Sequence, residues 1–432
     1  MKKTRIGTFG SHTAIACLAL GVALHVTTAL PGIAGKGGKG KPDGGGGEDP
    51  PASPAPVDYQ LTWIEGASIY DCNTAGIAVG GFSDGPFCAT ADGVIRPLKD
   101  WWVLPLGYEG WTLRGSEMQI NEANLICGTI RNEQTAENHL FLANLSDPHS
   151  LEVVSPAQKY DLRWVFMNEH GDVTWRSVVE GNTITLHLYV RSLDRSFSLV
   201  TGERSYYPTG INDNLQVSLV NKDFTGDLYS KSSYAGSSLL TFDVDTETAD
   251  IELLGDDAAS WSDPRFLPYG GLNNAGDVFG CFETKVSRVR YRNNRIVTRV
   301  ADTTAGFIAA DSATWSELDS RLPVGGEQVN LFSYAAAACA LGVNEAGQVV
   351  GGYQCSGKFS SEDLWLLDPV DGLLDVDNLV VGDPAEVESF RAANGFRFVR
   401  LTQLEPETGY GIISGSAPYD GSAFILTPRL VE

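Results

Sequence analysis

GFSDG at 81–85 has the Gly-x-Ser-x-Gly spacing of a hydrolase nucleophile elbow. That chemistry needs a strand, a sharp turn and a helix to expose the serine, with a histidine and an acid as partners. Here a strand pattern precedes Ser83 and no helical pattern follows it, so Ser83 reads as a turn serine. His139, His149, His170 and His187 stand singly, without HExxH and without a pair at metal-ligand spacing. They read as surface or turn histidines, with a zinc site gathered from distant segments as the alternative. Asp243, Asp245 and Glu247, and separately Asp375 and Asp377, lack the glycine and the terminal bidentate glutamate of a calcium loop. They read as solvated strand edges, and shared binding of calcium is the lesser reading. No pattern here calls for a cofactor.

The segment VSRVRYRNNRIVTRV (286–300) is the one basic feature of an acidic chain. Arg288, Arg290 and Arg292 alternate, which places them on one face of a strand, and Asn293-Asn294 is the expected turn. Arg295 and Arg299 fall on the returning strand. The plain reading is a solvated hairpin face paired with nearby carboxylates. The functional reading is a docking patch for an anionic glycan or an acidic protein. Trp101, Trp102 and Trp111 are expected to pack internally, with sugar stacking on an exposed ring as the alternative.

The elements that position these groups follow from the rest of the chain. Its 432 residues include 54 acidic against 31 basic, a formal net charge of −23, and 43% of them are hydrophobic. That charge argues against nucleic acid as a partner, because phosphates would be repelled. Residues 1–34 read as an export leader: Lys2, Lys3 and Arg5 precede an apolar run, Ala14–Leu24, and small residues follow at Ala29 and Ala34. The run is too short and too interrupted for a membrane span, and Cys17 within it has weak lipoprotein context. Residues 35–57 are rich in Gly, Lys and Pro and read as a disordered linker. A secreted or periplasmic monomer is the expectation for residues 58–432.

That long segment repeats a short phrase. GVNEAGQVVGG (342–352) and GLNNAGDVFGC (271–281) are its clearest copies. DCNTAGIAVGG (71–81), QINEANLICGT (119–129), FMNEHGDVTWR (166–176) and GINDNLQVSLV (210–220) are weaker, and ETGYGIISG (407–415) is the most eroded. The key Asn falls at 73, 121, 168, 212, 273 and 344, with Thr408 in the last copy, at spacings of 44 to 71 residues. Asn suits an Asx-type turn, and glycine supplies a positive φ. Apolar strands follow each copy, among them LFLANL (140–145), LWLLD (364–368) and AFILT (423–427). Four short strands per unit and no helical periodicity predict an all-β fold, a β-propeller of seven four-stranded blades, with six as the alternative.

These units resemble the HAF family of extracellular bacterial repeats, whose pattern is Ile-Asn-x-x-Gly-x-Val-Val-Gly followed by an Ala-Phe-Leu strand. LLDVDNLVV, GFRFVRLTQLEPETGYGIISGS and SAFILTP resemble the terminal unit of such arrays. The resemblance implies export and a propeller-like fold, and no established activity.

Tyr59–Ile64 precedes the first copy and corresponds to the outermost strand of the other units. It is expected to complete the last blade and so lock the ring. Cys72 and Cys88 are 16 residues apart, as are Cys339 and Cys355, and each pair brackets one repeat turn. Two intrablade disulfides are the expectation in an oxidising compartment, with Cys127 and Cys281 as buried thiols. Two function classes remain: a binding or scaffolding module for an extracellular partner, and an enzyme cleaving a polysaccharide, ester or lactone in the central channel.

Overall fold

The computed structural model describes residues 4–6 and 57–431, apart from residues 100, 157, 159–161, 180–182, 201–203, 224–235, 255–265, 293–294, 313, 323–324, 330–334, 357–362, 394 and 418–420. Seven antiparallel sheets form a seven-bladed β-propeller, each blade contributing an inner strand, two middle strands and an outer one. The inner strands are Ser68–Cys72, Thr112–Ile120, Arg163–Met167, Arg204–Ile211, Phe266–Leu272, Ala335–Val343 and Arg397–Leu404, in blades one to seven. The short strand Thr4–Ile6 runs beside Thr248–Leu254, the outer strand of blade four.

Among the described residues an apolar cluster lies between each pair of adjacent blades. Val79 and Cys88 of blade one, for example, pack against Met118, Ile126 and Phe141 of blade two. Cys127 and Leu142, on the other face of blade two, pack against Val173 and Trp175 of blade three. Each middle strand is therefore buried on both faces. This is why LFLANL and LWLLD read as nearly continuous apolar runs instead of alternating patterns.

The repeat glycine has a packing role. Gly128 lies opposite Phe141, Gly351 opposite Trp365 and Gly415 opposite Phe424. In each pair the ring occupies the place of the missing Cβ. Blade three inverts the arrangement: Trp175 stands on the second strand, and its ring stacks on His187 of the third at 4.9 Å.

Val57–Glu65 pairs antiparallel with Ser422–Leu430, in register from Val57 opposite Leu430 to Glu65 opposite Ser422. The N-terminal strand thus completes the last blade, as expected from sequence. Two short helices precede that blade, Val376–Leu379 and Pro384–Arg391. Asp375 and Asp383 cap their first turns, and Pro384 opens the second. The all-β expectation missed this insertion, although its capping residues are present in LLDVDNLVVGDP.

Candidate functional site

The repeat turns are linked from blade to blade by two series of hydrogen bonds at one mouth of the axial channel. Within each turn the Asn side chain accepts from the backbone ahead of it, as when Asn73 Oδ1 accepts from Ile77 N at 3.1 Å. In most blades its amide then reaches the next blade, while that of Asn273 donates to Asp277 Oδ2 in its own turn. Asn73 Nδ2 donates to the carbonyl of Asn121 at 3.2 Å, Asn168 to that of Asn212 at 3.0 Å, and Asn212 to that of Asn273 at 2.9 Å. Asn344 donates to the carbonyl of Thr402 at 3.0 Å. That contact corrects the alignment of the last copy. Thr402, not Thr408, holds the Asn place, and its hydroxyl accepts from Ile412 N at 2.9 Å across a longer turn.

The residue after Asn builds the second series. Its N–H donates to the side chain of its counterpart in the next blade: Thr74 to Glu122, Glu122 to Glu169, Glu169 to Asp213, Asp213 to Asn274, Asn274 to Glu345 and Glu345 to Gln403. Four carboxylates therefore crowd one mouth. Desolvation, reinforced by the charges of Glu122, Asp213 and Asp71 and opposed by the Glu122 N–H that it accepts, pushes the Glu169 carboxyl up to about 7. Partial burial likewise raises Glu345.

One layer inward, two residues before each Asn, stand Asp71, Gln119, Phe166, Gly210, Gly271, Gly342 and Arg400. The three glycines belong to consecutive blades, and an added Cβ at Gly210 or Gly342 would press on the inner strand of the next blade. The Arg400 guanidinium reaches over the Phe166 ring, 5.6 Å from its centroid. Blades seven and three are not neighbours, so this contact crosses the axis. Asp71 Oδ2 accepts from Ile120 N at 3.0 Å. Enclosure pushes the Asp71 carboxyl up to about 6, although Arg400 pulls it down. Enclosure also lowers Arg400, opposed by Asp71. Asp71, Phe166 and Arg400 are each part-buried, and Phe166 also packs against the core between blades three and four.

Deeper in, the inner strands carry β-bulges. Glu117, Trp164 and Phe398 adopt φ of 57°, 59° and 54° where the register breaks. The bulges set aromatic pairs along the lumen: Trp164 against Tyr207 at 5.7 Å and Phe398 against Tyr70 at 4.8 Å. The Arg176 guanidinium lies over the Tyr207 ring at 4.0 Å.

The residues singled out in the sequence lie elsewhere. Ser83 and Asp84 are the exposed two-residue loop of a hairpin closed by Phe82 opposite Gly85, with no helix following. His149 and His170 are exposed, but His139 and His187 are core residues, which corrects the surface reading. His139 Nδ1 lies 2.7 Å from Ser155 O. The His187 nitrogens meet Ser177 Oγ at 2.6 Å and Ser198 Oγ at 2.8 Å. Burial drives that imidazole down to about 4. Among the described residues no three His, Cys, Asp or Glu side chains gather as a metal site.

Asp243 and Asp245 lie in a hairpin turn, where Asp243 accepts from Asp245 N, and Glu247 pairs with Arg195 at 2.6 Å. Asp375 is a helix cap. Asp377 is half-buried, its carboxyl pushed up to about 7 by burial and by Asp363 and Asp375, so it is not a solvated strand edge. Trp101, Trp102 and Trp111 all pack between blades one and two, and the Trp101 and Trp102 indoles donate to Leu145 O and Asn144 O.

The expected disulfides do not fit the register. Cys72 lies opposite Ala78, which lies opposite Ala89, so the middle strand separates Cys72 from Cys88. Two strand spacings amount to about 10 Å, beyond the roughly 7 Å limit for a bridge. The two thiols also face different apolar clusters, and both are free. Cys339 lies opposite Gly352 while Cys355 lies opposite Ala336, three residues along, again about 10 Å away. Cys127 and Cys281 are buried free thiols, as expected.

The basic segment forms the extended hairpin. Val278–Arg292 and Arg295–Ile308 run past the blade, and Gly325–Val329 adds a third strand opposite Arg299–Thr303. Register places Arg288 opposite Val300, Arg290 opposite Thr298, Arg292 opposite Arg295 and Val289 opposite Arg299. The turn at 293–294 lies outside the described residues. A separate groove of about 430 Å³ beside the second helix is lined by Val380, Val381, Gly382, Pro384, Val387, Glu388 and Arg391.

With this geometry the chain is similar to solved propellers. The β-propeller domain of the Trilobed protease from Pyrococcus furiosus is 8% identical, covering 85% of this chain and 96% of that one with a TM-score of 0.46. The Dos1 propeller is 8% identical, covering 86% and 95% with a TM-score of 0.39. A puromycin hydrolase is 13% identical, and the match spans 84% of this chain but 52% of the hydrolase, with a TM-score of 0.39. What these share with the chain is fold. No protein-family model matches the sequence, and a search of curated proteins finds no match. Among the described residues no helix is long and apolar enough to cross a membrane.

The collar and the throat were missed at the sequence level, although a signal existed. Where the later copies carry Gly before x-Asn, the first, third and seventh carry Asp71, Phe166 and Arg400.

Proposed function

We propose that this propeller is an exported binding module that presents the arginine ribbon of its fifth blade to a polyanionic partner, foremost an acidic glycan. One observation carries this reading. The three-stranded ribbon extends beyond its blade and bears five arginines between 288 and 299, in a chain of net charge −23. Arginine forks suit carboxylate and sulfate groups. The surrounding negative charge disfavours polyanions elsewhere on the surface, which confines them to the ribbon.

A second reading, cleavage chemistry in the channel, is favoured by the raised carboxyls of Asp71 and Glu169, suited to proton transfer near neutral pH. One experiment separates the two. The purified protein is incubated with acidic and neutral polysaccharides, recording retention and released products. Retention of acidic chains without products, weakened by salt and abolished in the Arg288→Gln/Arg290→Gln/Arg292→Gln variant, is the expected result. Unchanged retention in that variant overturns the ribbon, and released products favour the channel.

A further inference from the structure

The helical insertion between the sixth and seventh blades touches two parts of the ring that lie far apart in sequence. Val376, Leu379 and Phe390 of its two helices share one apolar cluster with Val57, Tyr59 and Leu61 of the closing strand. Phe390 also meets Trp63 edge-on at 6.4 Å. Between the helices, Val380–Val381 runs parallel to Tyr59 and Gln60, along the edge of the closing strand that faces away from Ser422–Leu430. Whatever seats the insertion therefore also clamps the seam where the ring closes.

One polar group in this seat is left unsatisfied. Asp377, in the first helix, is half-buried, and its Oδ1 has no hydrogen-bond partner. Its carboxyl accepts the Leu364 N–H, at the start of the third strand of blade six. The charged groups that act on it are Asp363, Asp375 and Arg391. Asp363 and Asp375 are exposed and repel a second negative charge. Arg391 is spent on carbonyls, its Nε donating to Asp377 O at 3.0 Å and Nη2 to Val380 O at 3.4 Å. An ionised Asp377 thus combines an orphan buried oxygen with two repelling neighbours. Protonation removes that charge and supplies a hydroxyl donor among acceptors. Burial, with Asp363 and Asp375, holds the carboxyl up to about 7, against the pull of the Leu364 N–H and Arg391.

We propose that Asp377 is a proton-operated latch, which seats the helical insertion on the closing strand when protonated and loosens it when ionised. The seated carboxyl keeps its proton up to about 7, whereas a solvated one gives it up near 3.9. Seating is therefore strongest below about pH 4, weakens as pH rises toward 7 and changes little beyond.

Hydrogen–deuterium exchange of the purified protein at pH 5 and pH 8 in EDTA, with rates corrected for intrinsic exchange, tests this. Protection of residues 376–391 should fall about tenfold or more between the two, while Asn138–Asn144 in blade two keeps its own. Asp377→Asn, neutral at both pH values, should lose most of that difference. Asp363→Asn removes one repelling charge and should move the midpoint to lower pH, which keeps the test open if Asp377→Asn fails to fold. Equal protection at both pH values, a loss shared by Asn138–Asn144, or a pH dependence unchanged in both variants overturns the proposal.

Discussion

Gly351 and Trp365 face each other across the second and third strands of blade six, and the indole fills the space where a Cβ on Gly351 would stand. Trp365 is fully buried, so neither ring nor backbone has room to yield. Gly351→Ala is therefore expected to destabilise the protein by about 3 kcal/mol or more, the upper range for overpacking. Gly66→Ala is the control: that turn glycine has a φ of 73° but nothing within 4 Å, so its cost should stay near 1 kcal/mol. Urea unfolding of both variants checks this, and equal losses would remove the packing explanation of the repeat glycine.

The inter-blade ring makes its own demand. Asn212 Oδ1 accepts from Asn214 N and Gln216 N, while its amide donates to Gln216 Oε1 and Asn273 O. Asn212→Ala should cost roughly 2–4 kcal/mol, because several buried groups lose their partner at once. In the last blade, Thr402→Val should cost about 1–2 kcal/mol and Thr408→Ala under about 1 kcal/mol. The opposite order in denaturant titrations would restore Thr408 to the Asn place.

Stability should depend on His187. Unfolded histidine titrates near 6.5, whereas burial holds His187 in the fold down to about 4. Between those values the unfolded chain takes up a proton that the native state refuses. Stability from this residue is thus present above about pH 6.5 and lost as pH falls toward 4, by up to roughly 3 kcal/mol. Asp71 and Glu169, raised in the fold, act in the opposite sense, but equally in parent and variant. His187→Gln should flatten the difference in unfolding free energy between pH 7.5 and 4.5 by roughly 2–3 kcal/mol. An unchanged difference would show that His187 is not held neutral.

Ring closure can be tested by deletion. Val57–Glu65 pairs along its whole length with the last blade, and the buried Tyr59 hydroxyl donates to Gly411 O at 3.2 Å. Removing residues 58–65 bares a strand edge and opens the interface with blade one, where Ile64 packs on Ile69. The thermal transition should broaden or fall by more than about 10 °C. A deletion variant that melts with the parent would mean that the ring closes without this strand.

The propeller, its blade number and its closing strand were legible because they rest on local rules. Asn and Gly at fixed offsets specify turns, and apolar runs of strand length specify blades buried on both sides. The same local rules carried the turn assignment of Ser83 and the packing of Trp101 and Trp102. The helical insertion was equally local, signalled by Asp375 and by Asp383-Pro384, but the surrounding strand pattern masked it.

What tertiary structure alone decided is which residues from different blades meet. Cys72 and Cys88 look paired at a spacing of 16, yet a strand lies between them and their side chains face opposite ways, a matter of register that spacing does not encode. Asp71, Phe166 and Arg400 are hundreds of residues apart at the extremes and share no motif. They converge because seven inner strands run side by side around one axis, where each turn fixes the height of its residues and the ring fixes their neighbours.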